Sequence, residues 1–362
     1  MKALVLAGGF ATRLRPLSCT RPKILFPIVN KPLLQWTFER LAKYHFKEVI
    51  MAVNHQTEVA IKQDRIPKAG LHVTYSRDPP RKPLGSGGPI KKAEKSIGHD
   101  EPFLVLNGDI FADVDYKELR AMHEKKKAVA TISLHEVEDP SRYGVAELTN
   151  GNRIRKFIEK PALDEAPSNL INAGAYVLSP RIFERIPVGR AVSLEREIFP
   201  KLAEEGLLYG RVFDGLWMDI GKSEDYLGIN RTMLDLITDK PKCTIEKGVT
   251  VKEHVAFEKG VIIGQRSVVG PHVVLGRNVT VGTNVRIADS VILSEVVISD
   301  SSKVEGAIIG EGVVIGKRVK IAKGCVVGDH VKIDDGVELA EGVSVCPAKT
   351  ISESVLTSKC II

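Results

Sequence analysis

The sequence predicts an α/β protein in two parts, a mixed, mostly parallel sheet followed by a parallel β-helix. Two observations carry this. From residue 1 to 238, short aliphatic runs alternate with amphipathic segments, the β-α-β rhythm of a parallel sheet with helices on its faces. Beyond that, an aliphatic residue recurs every six positions over roughly 100 residues, mostly followed by a small one, as in a solenoid whose coils share one core.

In chain order, strands are expected at Ala3–Ala7, Val49–Val53, His72–Tyr75, Phe103–Leu106 and Val129–Leu134. Between them lie helical patterns at Leu33–Tyr44, Glu58–Arg65, Pro89–Ser96 and Tyr116–Lys127. Asn30 and Pro32 offer an N-cap and a first-turn proline for the first helix. Val145–Leu148, Arg153–Ile158, Ile171–Val177 and Leu208–Phe213 read as inserted antiparallel strands, and Leu227–Ile237 as a closing helix. The first domain is thus expected over 1–238, a linker with Pro241 over 239–245, and the β-helix over 246–362.

The six-residue series runs Ile263, Val269, Leu275, Val281, Ile287, Leu293, then Ile309, Ile315, Ile321, Val327, Ile333, Leu339, Val345. Gly264, Gly270, Gly276, Gly282, Gly310, Gly316 and Gly328 follow seven of them. A β-sandwich has no use for that pattern. The step from Leu293 to Ile309 is two short of three hexads, so one slip of register is expected there.

Charge is unevenly placed. Residues 1–38 carry six basic side chains (Lys2, Arg13, Arg15, Arg21, Lys23, Lys31) and no acidic one, which supplies nearly all of the net +7. A nucleic-acid surface would be broader and interleaved with aromatics, but only 6% of the chain is aromatic. A compact anion such as phosphate suits a local cluster better, although charge alone fits a solvated basic loop equally well. No apolar run approaches the roughly 18 residues of a membrane span. Five scattered cysteines without C-x-x-C spacing read as thiols of a reducing compartment, so a soluble cytoplasmic protein is expected.

The tract Leu6-Ala7-Gly8-Gly9-Phe10-Ala11-Thr12-Arg13-Leu14-Arg15-Pro16-Leu17 directly follows the first strand. Gly8 and Gly9 allow close backbone approach and conformations closed to other residues, and amides in such a turn can cradle phosphate. Arg13 offers a planar fork for two oxygens, Lys23 a mobile point charge. Neither a Walker A sequence nor G-x-G-x-x-G is present. Asn107-Gly108-Asp109 ends a buried strand, where a carboxylate faces the ligand crevice of such sheets. Asp219, in Trp217-Met218-Asp219-Ile220-Gly221, is a second acid, and two carboxylates with phosphate oxygens suit Mg²⁺. On the residues alone Asp109 could equally be a turn residue and Asp219 half of an ion pair. The nine histidines show no zinc spacing.

These tracts, with Pro22-Lys23, Phe157-Ile158-Glu159-Lys160-Pro161 and Asn172-Ala173-Gly174, stand in the order found in sugar-1-phosphate nucleotidyltransferases, which the chain resembles over its whole length. Asp139–Val145, Ile171–Pro180, Val192–Tyr209 and Ile351–Ile362 are most similar to the family's mannose-1-phosphate guanylyltransferase branch. Leu84-Gly85-Ser86-Gly87-Gly88-Pro89 is similar to its base-binding loop. Two positions depart from the pattern: Ala11 stands where the family mostly has Gly, and Ile24 where it has Pro.

The resemblance implies a Rossmann-like catalytic domain and a left-handed β-helix. It implies a Mg²⁺-dependent nucleotidyltransferase acting on a nucleoside triphosphate, GTP favoured, and a sugar 1-phosphate. Carried onto this chain, Leu6, Ala7, Gly8, Gly9, Thr12, Arg13, Lys23, Gly85, Gly88, Asn107 and Asp109 would bind nucleotide. Gly144, Glu159, Lys160, Asn172 and Gly174 would bind the sugar phosphate, and Asp109 and Asp219 the metal. Arg13, Lys23, Asp109, Lys160 and Asp219 would be catalytic. Self-association through the β-helix is expected, and no nucleic-acid or membrane partner. The alternatives are a uridylyl- or thymidylyltransferase, a catalytically silent subunit of the same build, or a second acyltransferase activity in the β-helix using His254, His272 or His330.

Overall fold

The computed structural model describes residues 1–9, 11–79, 83–236 and 244–362; Phe10 and most of the expected linker lie outside them. In chain order the elements are β1 (Ala3–Leu6), β2 (Pro27–Ile28), β3 (Lys31–Pro32), α1 (Leu33–Lys43), β4 (Glu48–Val53), α2 (His55–Gln63) and β5 (His72–Arg77). There follow α3 (Gly88–Lys92), α4 (Glu94–Ile97), β6 (Phe103–Asn107), β7 (Ile110–Ala112), α5 (Tyr116–Lys126), β8 (Ala130–Glu136) and β9 (Gly144–Leu148). The remainder before the β-helix is β10 (Ile154–Glu159), β11 (Leu170–Leu178), α6 (Phe199–Glu204), β12 (Leu208–Val212), β13 (Trp217–Asp219) and α7 (Ser223–Leu236).

The chain packs as two compact units. One joins Met1–Gly9 to Leu34–Asp219; the other joins the segment after Gly9, up to Leu33, to Ile220–Ile362. The first unit is built on a sheet ordered β10-β9-β11-β6-β1-β4-β5, with β8 added beside β11 and β12 on β8. β1 runs parallel to both β4 and β6, and β11 antiparallel to β6. Five of the six residues of β4 are buried, as befits a strand covered on both faces. The expected strands are present, most within a residue or two of their predicted ends, but β12, expected to be antiparallel, runs parallel to β8. β7 and β13 were not foreseen; they pair antiparallel as a separate two-stranded ladder, and three-residue strands carry too little periodicity to read.

Two local expectations are corrected. Asn30 does not cap α1. Val29 and Asn30 both adopt positive φ, 48° and 64°, and form the two-residue turn of the β2–β3 hairpin, a geometry that Asn tolerates well. The second helix starts at His55 rather than Glu58, because Asn54 caps it: its side chain accepts the Thr57 amide at 2.8 Å.

In the second unit, strands of two or three residues stack in three parallel sheets, the arrangement of a left-handed β-helix. Ile263, Val269, Leu275, Val281 and Ile287 point inward and are at most 1% exposed, a continuous aliphatic column. The register slip differs from expectation. The inward residue after Ile287 is Ile292, not Leu293, and the next are Ile298, Val304 and Ile309, so the coil loses one residue at each of two corners. The first shortened corner is closed by Ser290, whose hydroxyl donates to Ala288 O at 2.6 Å and accepts the Ala307 amide at 3.1 Å. A hexad count that follows aliphatics alone cannot tell Ile292 from Leu293.

The outward residues of one sheet, Val274, Val291, Ile308 and Val326, are also buried. The N-terminal segment and α7 lie on this side. Asn30 Nδ2 donates to Leu275 O at 3.0 Å, Arg231 pairs with Asp289 at 2.5 Å, and His272 Nε2 meets Asp235 at 3.0 Å.

Candidate active site

The first unit gathers most of the predicted residues at the carboxyl ends of its central strands, where open α/β sheets take ligands. Leu6 pairs with Asn107 across β1 and β6, and the Gly108 amide donates to Leu6 O at 2.8 Å. The Ala7 amide reaches Ala52 O at 2.8 Å, fixing the chain as it leaves β1. Gly8 accepts Asn54 Nδ2 at 3.1 Å, and a Cβ there would stand 2.8 Å from Asp78 Oδ2. Among the described residues, chain neighbours aside, nothing lies within 4 Å of a would-be Cβ on Gly9, which suits close approach of a ligand. Neither glycine is among the residues with positive φ, so close approach, not unusual conformation, is their use.

Asp109 and Asp219 stand at the same end of one short ladder. β13 pairs with β7 so that Asp219 stands opposite Ile110, next in sequence to Asp109. The ladder is held to the main sheet by Trp217, whose indole N–H donates to Ala173 O at 3.2 Å. Among the described residues no group of three or more His, Cys, Asp or Glu is placed to hold a metal. Two hard carboxylates at the same end of one short ladder are a donor set that matches Mg²⁺, which takes one or two protein carboxylates and completes its shell with phosphate oxygens and water.

Asn107 and Asn172 converge on one phenol: their side-chain amides donate to Tyr176 OH at 3.3 and 3.0 Å. Tyr176 is fully buried, and burial first, then Glu195, pushes its pKa well above the ordinary value. Gly174 has φ +77°, and its N–H donates to Asn172 Oδ1 at 3.1 Å. A Cβ there would lie 2.3 Å from Ile110 Cδ1, so glycine is what lets β11 bulge against β7. Gly144 pairs with Glu159, and a Cβ on it would strike Phe157 at 2.5 Å. Lys160 follows with φ 51°, its amide donating to Tyr143 O at 2.9 Å, while its ammonium stays half-exposed and 3.8 Å from Glu159. Burial and then Glu195 raise the Glu159 pKa, with Lys160 and Arg196 opposing.

The loop holding Gly85 and Gly88 is stitched to residues 192–195. Val192 N donates to Leu84 O at 3.0 Å and Gly87 N to Val192 O at 2.8 Å. Ser86 Oγ donates to Glu195 Oε2 at 2.5 Å and accepts the Leu194 amide at 2.9 Å.

The second unit holds Thr12, Arg13 and Lys23. Thr12–Leu14 and Lys23–Leu25 are single 3₁₀ turns, and Ser18 Oγ donates back to Ala11 O at 2.8 Å. Ala11 itself is left-handed, φ 46° and ψ 42°, which explains why glycine is the usual residue there. Ala11→Gly is expected to raise stability by up to about 1 kcal/mol, since a left-handed Ala costs about 1–2 kcal/mol and glycine's larger unfolded-state entropy offsets part of that. A thermal melt that falls by several degrees would contradict this.

Three residues at this site escaped the sequence reading. Tyr176 and Glu195 lie in tracts singled out for similarity but carry no motif of their own. Asp78 follows β5; its Oδ1 is buried with no hydrogen-bond partner among the described residues, and burial raises its pKa.

A mostly parallel α/β sheet followed in the chain by a parallel β-helix is the build of a nucleotidyltransferase, and comparison with known proteins agrees. The description "Nucleotidyl transferase" matches residues 2–235, and "GMPPB C-terminal domain" matches 251–361. The chain belongs to the nucleotidyl transferase family. It is similar to the mannose-1-phosphate guanylyltransferase catalytic subunit beta of Danio rerio, 41% identical over 229 residues, 63% of each chain. It is also similar to the probable mannose-1-phosphate guanylyltransferase 1 of Oryza sativa subsp. japonica, 37% identical over 260 residues, 70% of this chain and 71% of that one. The matched region thus spans just under two thirds of the zebrafish relative's length. Among solved structures, HddC from Yersinia pseudotuberculosis superposes with a TM-score of 0.55 at 28% identity, over 64% of this chain and 99% of that one.

Proposed function

We propose that the chain makes GDP-mannose, transferring GMP from GTP to mannose 1-phosphate with release of pyrophosphate. The observation that supports the transfer chemistry is the register of β13 on β7, which sets Asp219 opposite Ile110, the residue after Asp109. The choice of guanine and mannose rests on the names of the relatives. In this reading residues 1–238 form the catalytic domain and 246–362 the β-helix.

Mg²⁺, held by Asp109 and Asp219, supplies charge neutralisation on the phosphates. Arg13 and Lys23 grip the β- and γ-phosphates and offset the charge that grows on the leaving pyrophosphate. Lys160 holds the sugar phosphate, so that its oxygen meets the α-phosphorus in line. That oxygen forms the new P–O bond, and the α–β bridging oxygen leaves with the electron pair of the broken bond. The attacking phosphate is ionised at neutral pH, so no side chain needs to remove a proton. Leu6, Ala7, Gly8, Gly9, Thr12 and Asn107 line the nucleotide, and Gly85 and Gly88 present backbone to the base. Gly144, Glu159, Asn172 and Gly174 read the sugar hydroxyls.

The test is pyrophosphate release from five nucleoside triphosphates against mannose-, glucose- and N-acetylglucosamine-1-phosphate. GTP with mannose 1-phosphate is expected to be fastest; a faster UTP or dTTP pair would overturn the base assignment, and no release from any pair would favour a silent subunit.

We also place the protein in a reducing cytoplasm, a reading supported by Cys19, Cys325, Cys346 and Cys360, which are all unbridged. Among the described residues no helix is long and apolar enough to cross a membrane. Self-association through the β-helix is supported by an outward ladder of Ile262, Val297 and Val314, which are 48%, 39% and 42% exposed on neighbouring or near-neighbouring coils. Val297→Lys with Val314→Lys is expected to lower the sedimentation mass to that of the monomer; an unchanged mass would exclude this face.

A further inference from the structure

The β-helix does more than pack beside the N-terminal segment. Asp329, at a coil corner and only 6% exposed, uses both carboxylate oxygens. Oδ1 accepts the Glu311 amide from the preceding coil at 2.7 Å, and Oδ2 accepts the Thr20 hydroxyl at 2.6 Å. The side chain of Glu311 in turn pairs with Arg21. Thr20, Asp329, Glu311 and Arg21 therefore close a ring of contacts that crosses from the coil to the segment and returns through one peptide bond.

A few residues on, the same segment is pinned again. Tyr226 OH donates to Pro27 O at 2.6 Å, the Val29 amide donates to Asn230 Oδ1 at 2.8 Å, and Asn30 reaches Leu275 O at 3.0 Å. The Lys23–Leu25 turn lies between these two anchors. A short stretch tied at both ends has few conformations left, so its lysine is preorganised rather than ordered by substrate. Arg21, one of the six cations that made this segment look like a phosphate site, is committed to Glu311 instead.

We propose that Asp329 and Glu311 are positioning residues for nucleotide transfer, holding Thr20–Arg21 so that Lys23 is set for the triphosphate. The inference rests on Lys23 as a phosphate-binding residue. It gives the β-helix a role in setting Lys23 without touching substrate.

The test uses the full chain and steady-state kinetics. Thr20→Val removes one hydroxyl from the segment and leaves the coil intact; Asp329→Asn keeps an acceptor for the Glu311 amide. Each is expected to raise KM for GTP roughly five- to tenfold, with KM for mannose 1-phosphate unchanged. Thr20→Ser is expected to restore wild-type values, and the double variant to be no worse than either single one, because both break the same bond. A thermal melt separates a general loss of stability, which would move both KM values. If Thr20→Val and Asp329→Asn leave KM for GTP within twofold of wild type while Lys23→Ala is inactive, the positioning role is wrong and the phosphate role stands. If Lys23→Ala also keeps full activity, the reading of Lys23 itself fails.

Discussion

Asp109→Ala is expected to lower kcat by roughly a thousandfold or more while the thermal midpoint moves little. Nucleotidyl transfer brings two polyanions together, so most of its barrier is electrostatic, and in the proposed metal site one of two carboxylates carries much of the remedy. Asp109 lies just after β6 and just before β7, outside both buried cores. Removing its side chain leaves the Leu6–Asn107 pairing and the β7–β13 ladder intact. Rapid-quench measurement of pyrophosphate release at saturating substrates gives the number. A kcat within tenfold of wild type would remove Asp109 from the metal site.

Gly85→Ala is expected to give the largest effect on nucleotide affinity of any single methyl addition in the loop of residues 84–89, the proposed base loop. Gly85 has φ +72°, where an L side chain costs about 1–2 kcal/mol. Its Cβ would also stand 2.3 Å from the Val192 carbonyl oxygen, a backbone atom that accepts the Gly87 amide and cannot turn aside. The loop must shift, and with it the Ser86–Glu195 contact. A penalty of that size appears as a rise of about 5–30-fold in KM for GTP, with the sugar-phosphate KM nearly constant. Gly9→Ala, with open space around it, is the comparison: it tests ligand approach without disturbing the protein.

The sequence read well where physical periodicity is strong. β4 and β6 are buried aliphatic runs, and the inward columns of the β-helix repeat at six, so both halves were visible before any coordinates. The motifs that carry Asp109 and Asp219 were legible, yet the β7–β13 ladder that sets Asp219 opposite Ile110 was not, because three-residue strands have no period. Asn30 looked like a helix cap from its neighbours, but the hairpin closed by Pro27 and Pro32 took it for a turn. Ser290 shortens a corner through a hydroxyl, a signal that aliphatic counting passes over. Long-range partners were the least accessible. Nothing near Thr20 announces Asp329, which is 309 positions away, and nothing near Ser86 announces Glu195.

The central claim is that Asp109 and Asp219 hold a divalent ion beside the nucleotide. Mn²⁺ titrated into the protein with GTP, followed by the loss of the free-ion electron paramagnetic resonance signal, tests it most directly. Wild-type protein is expected to bind one Mn²⁺ per bound GTP more tightly than GTP alone does, and Asp219→Asn to bind GTP but lose that extra affinity. Equal Mn²⁺ affinity in the wild type, Asp219→Asn and Asp109→Asn would contradict the account.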